Sequence, residues 1–166
     1  MDRLHHKFHA ACKYNDPLQV KKQLKKGAKI DHIDPETGNS GLLDACARGR
    51  TYMINFLLAQ GADPHIRNHD GETALILVIK SRNLKALETV LKHTAIFHQR
   101  NLYDKNGENA KDWAKKNISS KFFEAIIEAE AADYALHTKN KDVLKKASNK
   151  NLRLKRKKPK PPASKP

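Results

Sequence analysis

The sequence predicts an all-α solenoid of stacked helix-turn-helix units. Three observations predict it: a near-repeat of about 33 residues, an apolar stripe at helical spacing in each unit, and turns led by glycine. The string Gly61-Ala62-Asp63-Pro64-His65 recurs in imperfect form 34 residues earlier as Gly27-Ala28-Lys29-Ile30-Asp31, each copy closing an apolar run. In the second helix of each unit, apolar residues recur at i and i+4: Val20 and Leu24, Ile54 and Leu58, Leu87 and Leu91, Phe123 and Ile127. One such stripe belongs to any amphipathic helix. Four in register, none able to bury its face alone, require neighbours that stack to exclude water. On this spacing Leu58 is expected in the interior of the second unit.

The unit openings carry a family resemblance. The second unit begins Gly38-Asn39-Ser40-Gly41-Leu42-Leu43-Asp44-Ala45, and the third begins Gly71-Glu72-Thr73-Ala74-Leu75-Ile76-Leu77-Val78. Both resemble the ankyrin opening Gly-x-Thr-Pro-Leu-His-x-Ala. A first unit reads His6-Lys7-Phe8-His9-Ala10-Ala11, with His6 and Lys7 where Thr-Pro is usual, and looks like an N-terminal cap. A fourth reads Gly107-Glu108-Asn109-Ala110-Lys111-Asp112-Trp113-Ala114; it follows a longer finger and puts Lys111 where the family has a buried leucine. The resemblance implies an ankyrin-repeat solenoid with short β-hairpin-like fingers. Its expected limits are residues 1–137, with repeats at about 2–34, 35–67, 68–103 and 104–137, and a last helix running from Lys121 toward Leu136.

Charge separates the remainder of the chain. Of the formal +15, residues 138–166 carry +11, from ten Lys and two Arg against the single acid Asp142, which leaves +4 on the repeats. With few apolar residues and four prolines by the end, this tail is expected to be disordered when free. Lys155, Arg156, Lys157, Lys158 and Lys160 resemble a monopartite nuclear-localisation signal, a cationic peptide for an import receptor. The same charge suits nucleic acid, through counterion release, or an anionic membrane leaflet. No apolar stretch of secretory-signal or membrane-spanning length is visible, the longest run being Ala74 to Ile79, so a nuclear or cytoplasmic location is expected. Lys outnumbers Arg by 25 to 8, a pattern common in AT-rich genomes, and a small ankyrin protein with a host-type nuclear signal suits a bacterial effector acting in a host cell.

No catalytic residue, cofactor or metal is expected. Ser40, Ser81 and Ser119 lack a nucleophile-elbow context, and no Gly-rich phosphate loop is present. Nine histidines, among them His5, His6, His9, His65 and His69, stand without a cysteine pair at zinc-finger spacing. Cys12 and Cys46 occupy equivalent turns of adjacent units, about 10 Å apart by helix-packing distance, so they are expected to be unpaired thiols. The resemblance further implies that His9 bonds backbone at its turn. It also places Asp31 and His65 where many ankyrin repeats carry an Asn modified by a 2-oxoglutarate-dependent hydroxylase, which implies a substrate role alone.

The surface that ankyrin arrays use is concave, formed by finger tips and the outward side of each first helix. Repeat by repeat this puts Lys13 and Tyr14, Ala47 and Arg48, Lys80 and Ser81, Lys116 and Asn117 on the floor, with Arg67, His69 and Phe97 to Arg100 on fingers. The groove reads as basic. Tyr14, Arg48, Arg67, His69 and Lys80 are the expected partner-binding residues, with Arg48 and Lys80 projecting away from the apolar seam. The function this supports is a non-enzymatic, monomeric adaptor or regulator that binds a protein through the groove. A reading from another class makes the tail the main binding element, for nucleic acid or an anionic membrane.

Overall fold

A computed structural model of the chain describes residues 3–93, 102–117, 121, 124–139 and 141, and its first six helices come in the expected pairs. They are α1 (Arg3–Lys13), α2 (Pro17–Lys25), α3 (Gly41–Ala47), α4 (Thr51–Ala59), α5 (Ala74–Lys80), α6 (Leu84–His93) and α7 (Ala110–Asn117). No strand occurs among the described residues. The chain divides into two compact units, Met1–Glu130 and Ala131–Pro166. Residues 124–130 are helical in the first, and residues 131–139 in the second. This division follows packing, whereas the composition changes at residue 138. Most of the basic tail, from residue 142 onward, lies outside the described residues, as do Phe97 to Arg100, Ser119 and Phe123.

Capping chemistry sets the helix starts. Asp16 accepts from the Gln19 N–H at 2.9 Å ahead of Pro17, whose missing N–H costs nothing in a first turn. Ser40, Thr73 and Asn83 play the same part for α3, α5 and α6, accepting from Leu43, Ile76 and Ala86. Asn109 and Asp112 close a reciprocal box on α7: Asn109 Oδ1 takes the Asp112 N–H at 2.9 Å, and Asp112 Oδ2 takes the Asn109 N–H at 3.1 Å. The Gly-Ala repeat stops the second helices. Gly27 (φ 94°) and Gly61 (φ 88°) take the left-handed conformation, letting the Ala28 and Ala62 N–H groups reach back to Gln23 and Leu57 at 3.0 Å each. Both alanines then point into the core.

Helices α1, α3, α5 and α7 stack as an inner row, and α2, α4 and α6 each pack on the first helix of their own unit. Phe8, Leu42 and Leu75 occupy matching positions along the inner row and are at most 1% exposed. Gly41, where the family motif has Pro, is explained by Phe8. A β-carbon there would lie 2.7 Å from the Phe8 ring and 2.8 Å from Cys12 Sγ, so the large cap residue needs a bare backbone opposite. At the far end Lys111, half-buried, threads its stem along the stack and places its ammonium 3.1 Å from Glu130.

The stripe in the second helices differs from the expected spacing. Fully buried partners stand at i and i+3, Ile54 with Leu57 and Leu87 with Val90, while Leu24, Leu58 and Leu91 border the core. In the last helix Ile126 is 1% exposed and Ile127 is 36% exposed. A second helix packs on its own inner helix, and α4 and α6 also pack on each other, so the i+4 leucines sit at the edge of the core, partly buried. Cys12 and Cys46 are buried free thiols, as the turn spacing requires. Burial raises the pKa of both, and the nearby Asp44 carboxylate raises Cys12 further.

Leu57→Ala should therefore lower stability by about 2–5 kcal/mol, and Leu58→Ala by clearly less, in denaturant unfolding. Equal midpoints for the two variants would contradict the register. Both thiols should react with a maleimide only as fast as the stack opens, because neutral buried thiols are poor nucleophiles. Rapid labelling in native buffer would count against the burial.

Candidate functional site

The finger side of the stack uses one side-chain oxygen three times. Asp34, Asn68 and Asp104 hold the same finger position, and each Oδ1 accepts the N–H two residues on, from Glu36 (3.0 Å), Asp70 (3.0 Å) and Asn106 (2.9 Å). This Asx turn folds the finger tip without a regular strand. Adjacent fingers are then joined through backbone, His69 N–H to Thr37 O at 3.3 Å and Lys105 N–H to Asp70 O at 2.8 Å. Lower down, Asp31 Oδ1 takes the Asp63 N–H at 3.0 Å across the first two units, and Asp63 Oδ1 takes the His65 N–H at 2.8 Å.

The same corner residues meet the floor. Between the third and fourth units, the Lys80 ammonium bonds Glu72, lies 4.0 Å from Asp104 and sits 3.8 Å from the centre of the Trp113 ring. Trp113 donates its indole N–H to Asp104 at 2.9 Å. Between the first and second units, Lys13 stands 4.0 Å from Asp34 and 3.8 Å from the buried Asp44. Asp44 also receives His9 Nδ1 at 2.9 Å, while His9 Nε2 lies 3.2 Å from His32 Nδ1 and His32 stacks on His5 at 3.7 Å. Between the second and third units the matching positions are Asn39, Ala47, Asn68 and Leu77, none of them charged. Lys116 pairs with Glu108 inside the fourth unit.

Charge pairing shows in the titration of the corner acids. The Glu36 N–H holds the Asp34 carboxyl below the ordinary carboxylate range, against the opposing effect of burial and with help from His9 and Lys13. At Asp104 burial acts upward, and it is outweighed by hydrogen bonds from Trp113, Glu108 and Asn106 and by Lys80.

The expected contact residues fall into different settings. Tyr14 is 79% exposed at the end of α1, and Arg48 is exposed at the end of α3 with no acidic partner among the described residues. Arg67 is spent within the finger layer, donating Nε to Gly71 O at 3.0 Å and Nη2 to Tyr103 O. His69 is exposed beside the first finger. Lys80 is not free, its ammonium meeting Glu72, Asp104 and the Trp113 ring. The groove is therefore a ladder of compensated charges with Arg48 standing apart. His9 likewise bonds Asp44, a carboxylate of the next unit, where the resemblance implied a backbone partner. Among the described residues no group of three or more His, Cys, Asp or Glu could hold a metal ion, and no helix is long and apolar enough to cross a membrane.

Asp34, Asp44, Glu72, Asp104 and Trp113 were absent from the sequence expectation. Their signal was the repeated acid-to-lysine spacing of eight, Glu72 to Lys80 and Glu108 to Lys116, beside an Asx residue just ahead of each finger glycine. Near Tyr14 the floor opens into a cavity of about 360 Å³, lined by His9, Lys13, Tyr14 and Asp34 among others.

Asp104→Ala should cost on the order of 2–4 kcal/mol, since the indole and two backbone N–H groups lose their acceptor. Asp34 and Asp104 have folded-state values below the unfolded one of about 3.9, so their stabilisation is full above that value and is lost as pH falls through the folded values. Denaturation series between neutral and acid pH should show this loss, and Asp104→Asn should flatten it. An equally steep acid loss in that variant would remove Asp104 from the account.

Residues 8–101 and 42–138 match the family profile described as ankyrin repeats in three copies. The chain is 30% identical over 92 residues to a putative ankyrin repeat-containing protein of Treponema pallidum (strain Nichols), covering 55% of this chain and 30% of that one. It is 31% identical over 113 residues to an inactive serine/threonine-protein kinase of Bos taurus, covering 68% of this chain and 7% of the kinase. Over 59 residues it is 41% identical to a human DNA-binding protein, covering 36% of this chain and 23% of the other. The chain thus spans less than a third of each of these relatives. Ankyrin repeats generally mediate protein–protein interaction, and the family is generally non-enzymatic. With its paired helices, hairpin-like fingers and matching profile, the chain belongs to the ankyrin-repeat family.

Proposed function

We propose that the chain is a non-enzymatic adaptor or regulator that engages an acidic protein surface through the concave side of its stack, as a monomer. The observation that carries this is the isolation of Arg48. Lys13, Lys80 and Lys116 already meet carboxylates, whereas Arg48 is exposed and unpaired among the described residues, and Tyr14 stands one repeat away with 79% of its surface open. An arginine fork and an exposed aromatic ring are the side chains that most often anchor a protein interface. Arg67, His69 and Lys80 support the surface chiefly by shaping the fingers and floor beneath those anchors. The tail segment Lys155, Arg156, Lys157, Lys158 and Lys160 serves as the nuclear address, and the bacterial-effector setting rests on composition alone.

Partner recovered by pull-down should bind Arg48→Glu at least about tenfold more weakly and Tyr14→Ala several-fold more weakly, with unchanged circular dichroism. Lys80→Glu is the wrong probe, because it would face Glu72 and Asp104 and unsettle the fold. Replacing Lys155, Arg156, Lys157 and Lys158 by Ala should leave that affinity intact and abolish nuclear enrichment of a large fluorescent fusion. Affinity that survives Arg48→Glu but vanishes with the tail substitutions would transfer the function to the tail, the reading in which nucleic acid or an anionic membrane is bound.

A further inference from the structure

The outward side of α2 carries a charge pattern that α4 and α6, the matching helices of the next two units, lack. Lys21, Lys22, Lys25 and Lys26 are all exposed, and Leu18, on the same side, is 80% exposed. At about 100° per residue, positions 18, 22 and 25 fall nearly in line, with 21 and 26 flanking them. The five side chains line one shallow depression of about 350 Å³. The helix contains no acid. None of the four ammonium groups has an acidic partner among the described residues, in contrast to the floor lysines. At the matching stage of the next unit α4 presents no charge, and Tyr52, in the place of Leu18, is 63% exposed.

We infer that this face of α2 docks on an anionic bilayer, with the lysines among the headgroups and Leu18 entering the acyl boundary. Complementarity demands an anion, and three features favour a bilayer over an acidic peptide or nucleic acid. Lysine ammoniums are point charges on flexible stems, suited to mobile headgroups and not to the fixed bidentate geometry that arginine reads. The depression is open and walled by methylene stems, which can lie along an interface while their ends stay wet. Leu18, on the midline of the charged face, gains by leaving water for hydrocarbon and gains nothing against a phosphodiester backbone. A lysine near a surface rich in anionic lipid contributes roughly fivefold in partitioning, so four of them make the face competent beside any pull from the tail.

The test uses the full chain with Leu18→Cys carrying a polarity-sensitive fluorophore, the native thiols being buried. Vesicles containing about one third phosphatidylserine should shift its emission to the blue, and phosphatidylcholine vesicles should not. The same label at Glu36→Cys, on a finger, should not move. Changing Lys21, Lys22, Lys25 and Lys26 to Gln should raise the lipid concentration needed at position 18 by at least about tenfold, even with the tail intact. Salt raised from about 0.05 to about 0.5 M should reverse the shift in the parent labelled chain, which decides the matter if the quadruple variant loses helicity. A chain that sediments with anionic vesicles while the label at 18 stays unmoved would overturn the inference. So would equal shifts at 18 and 36, or a response at 18 to a short DNA duplex and not to vesicles.

Discussion

The side-chain oxygen at the finger corner is the interaction on which the remaining structure depends. Asp34, Asn68 and Asp104 each turn the chain out of one unit and into the next, and each does so by accepting the backbone N–H of the exposed residue two positions on, which fixes the turn. A corner acid has lone pairs to spare once its turn is closed. Those of Asp104 receive the Trp113 indole and draw in Lys80. Turn, inter-unit contact and groove electrostatics are therefore one piece of chemistry at this junction.

That coupling explains what the sequence disclosed and what it withheld. The Gly-Ala turns were readable because their cause is local: a left-handed residue ends a helix, and a small one follows into the core. Fold class followed, since stacked stripes closed by glycine turns leave few other packings. Lys80 and His9 were misjudged for the opposite reason. Asp104 and Asp44, on the next finger and the next first helix, are partners that a reading made one unit at a time does not find, so it treats a paired floor lysine as a free one. The i+4 stripe failed in a smaller way, because periodicity finds the apolar side of α4 but cannot tell that Leu57, not Leu58, faces the inner helix. The longer third finger also displaced Asp104 from the simple period and concealed its equivalence to Asp34 and Asn68.

A groove lined by compensated pairs has a consequence for recognition. Charges already satisfied inside the fold offer little to a partner, because any new contact must first replace an existing one. On the proposed function, specificity would then rest on the few side chains left over, Arg48 and Tyr14, and on the shape that the fingers impose around them. The ladder works as a rigid frame, and its polarity is largely inward.

The three junctions are also unequal. The first and third hold lysines against carboxylates, while the second places Asn39, Ala47, Asn68 and Leu77 at the same positions and is held by apolar contact and by uncharged hydrogen bonds, Asn68 to Asn39 at 3.1 Å, Asn83 to Gly49 O at 2.8 Å and His69 N–H to Thr37 O at 3.3 Å. In a linear array each junction contributes separately to the whole. Acid or concentrated salt therefore acts on the two ends of the stack and spares its middle. Under such conditions α3 with α4 and α5 with α6 form the block whose amides exchange last, and the outer units fray from either side of it like the loose covers of a bound book.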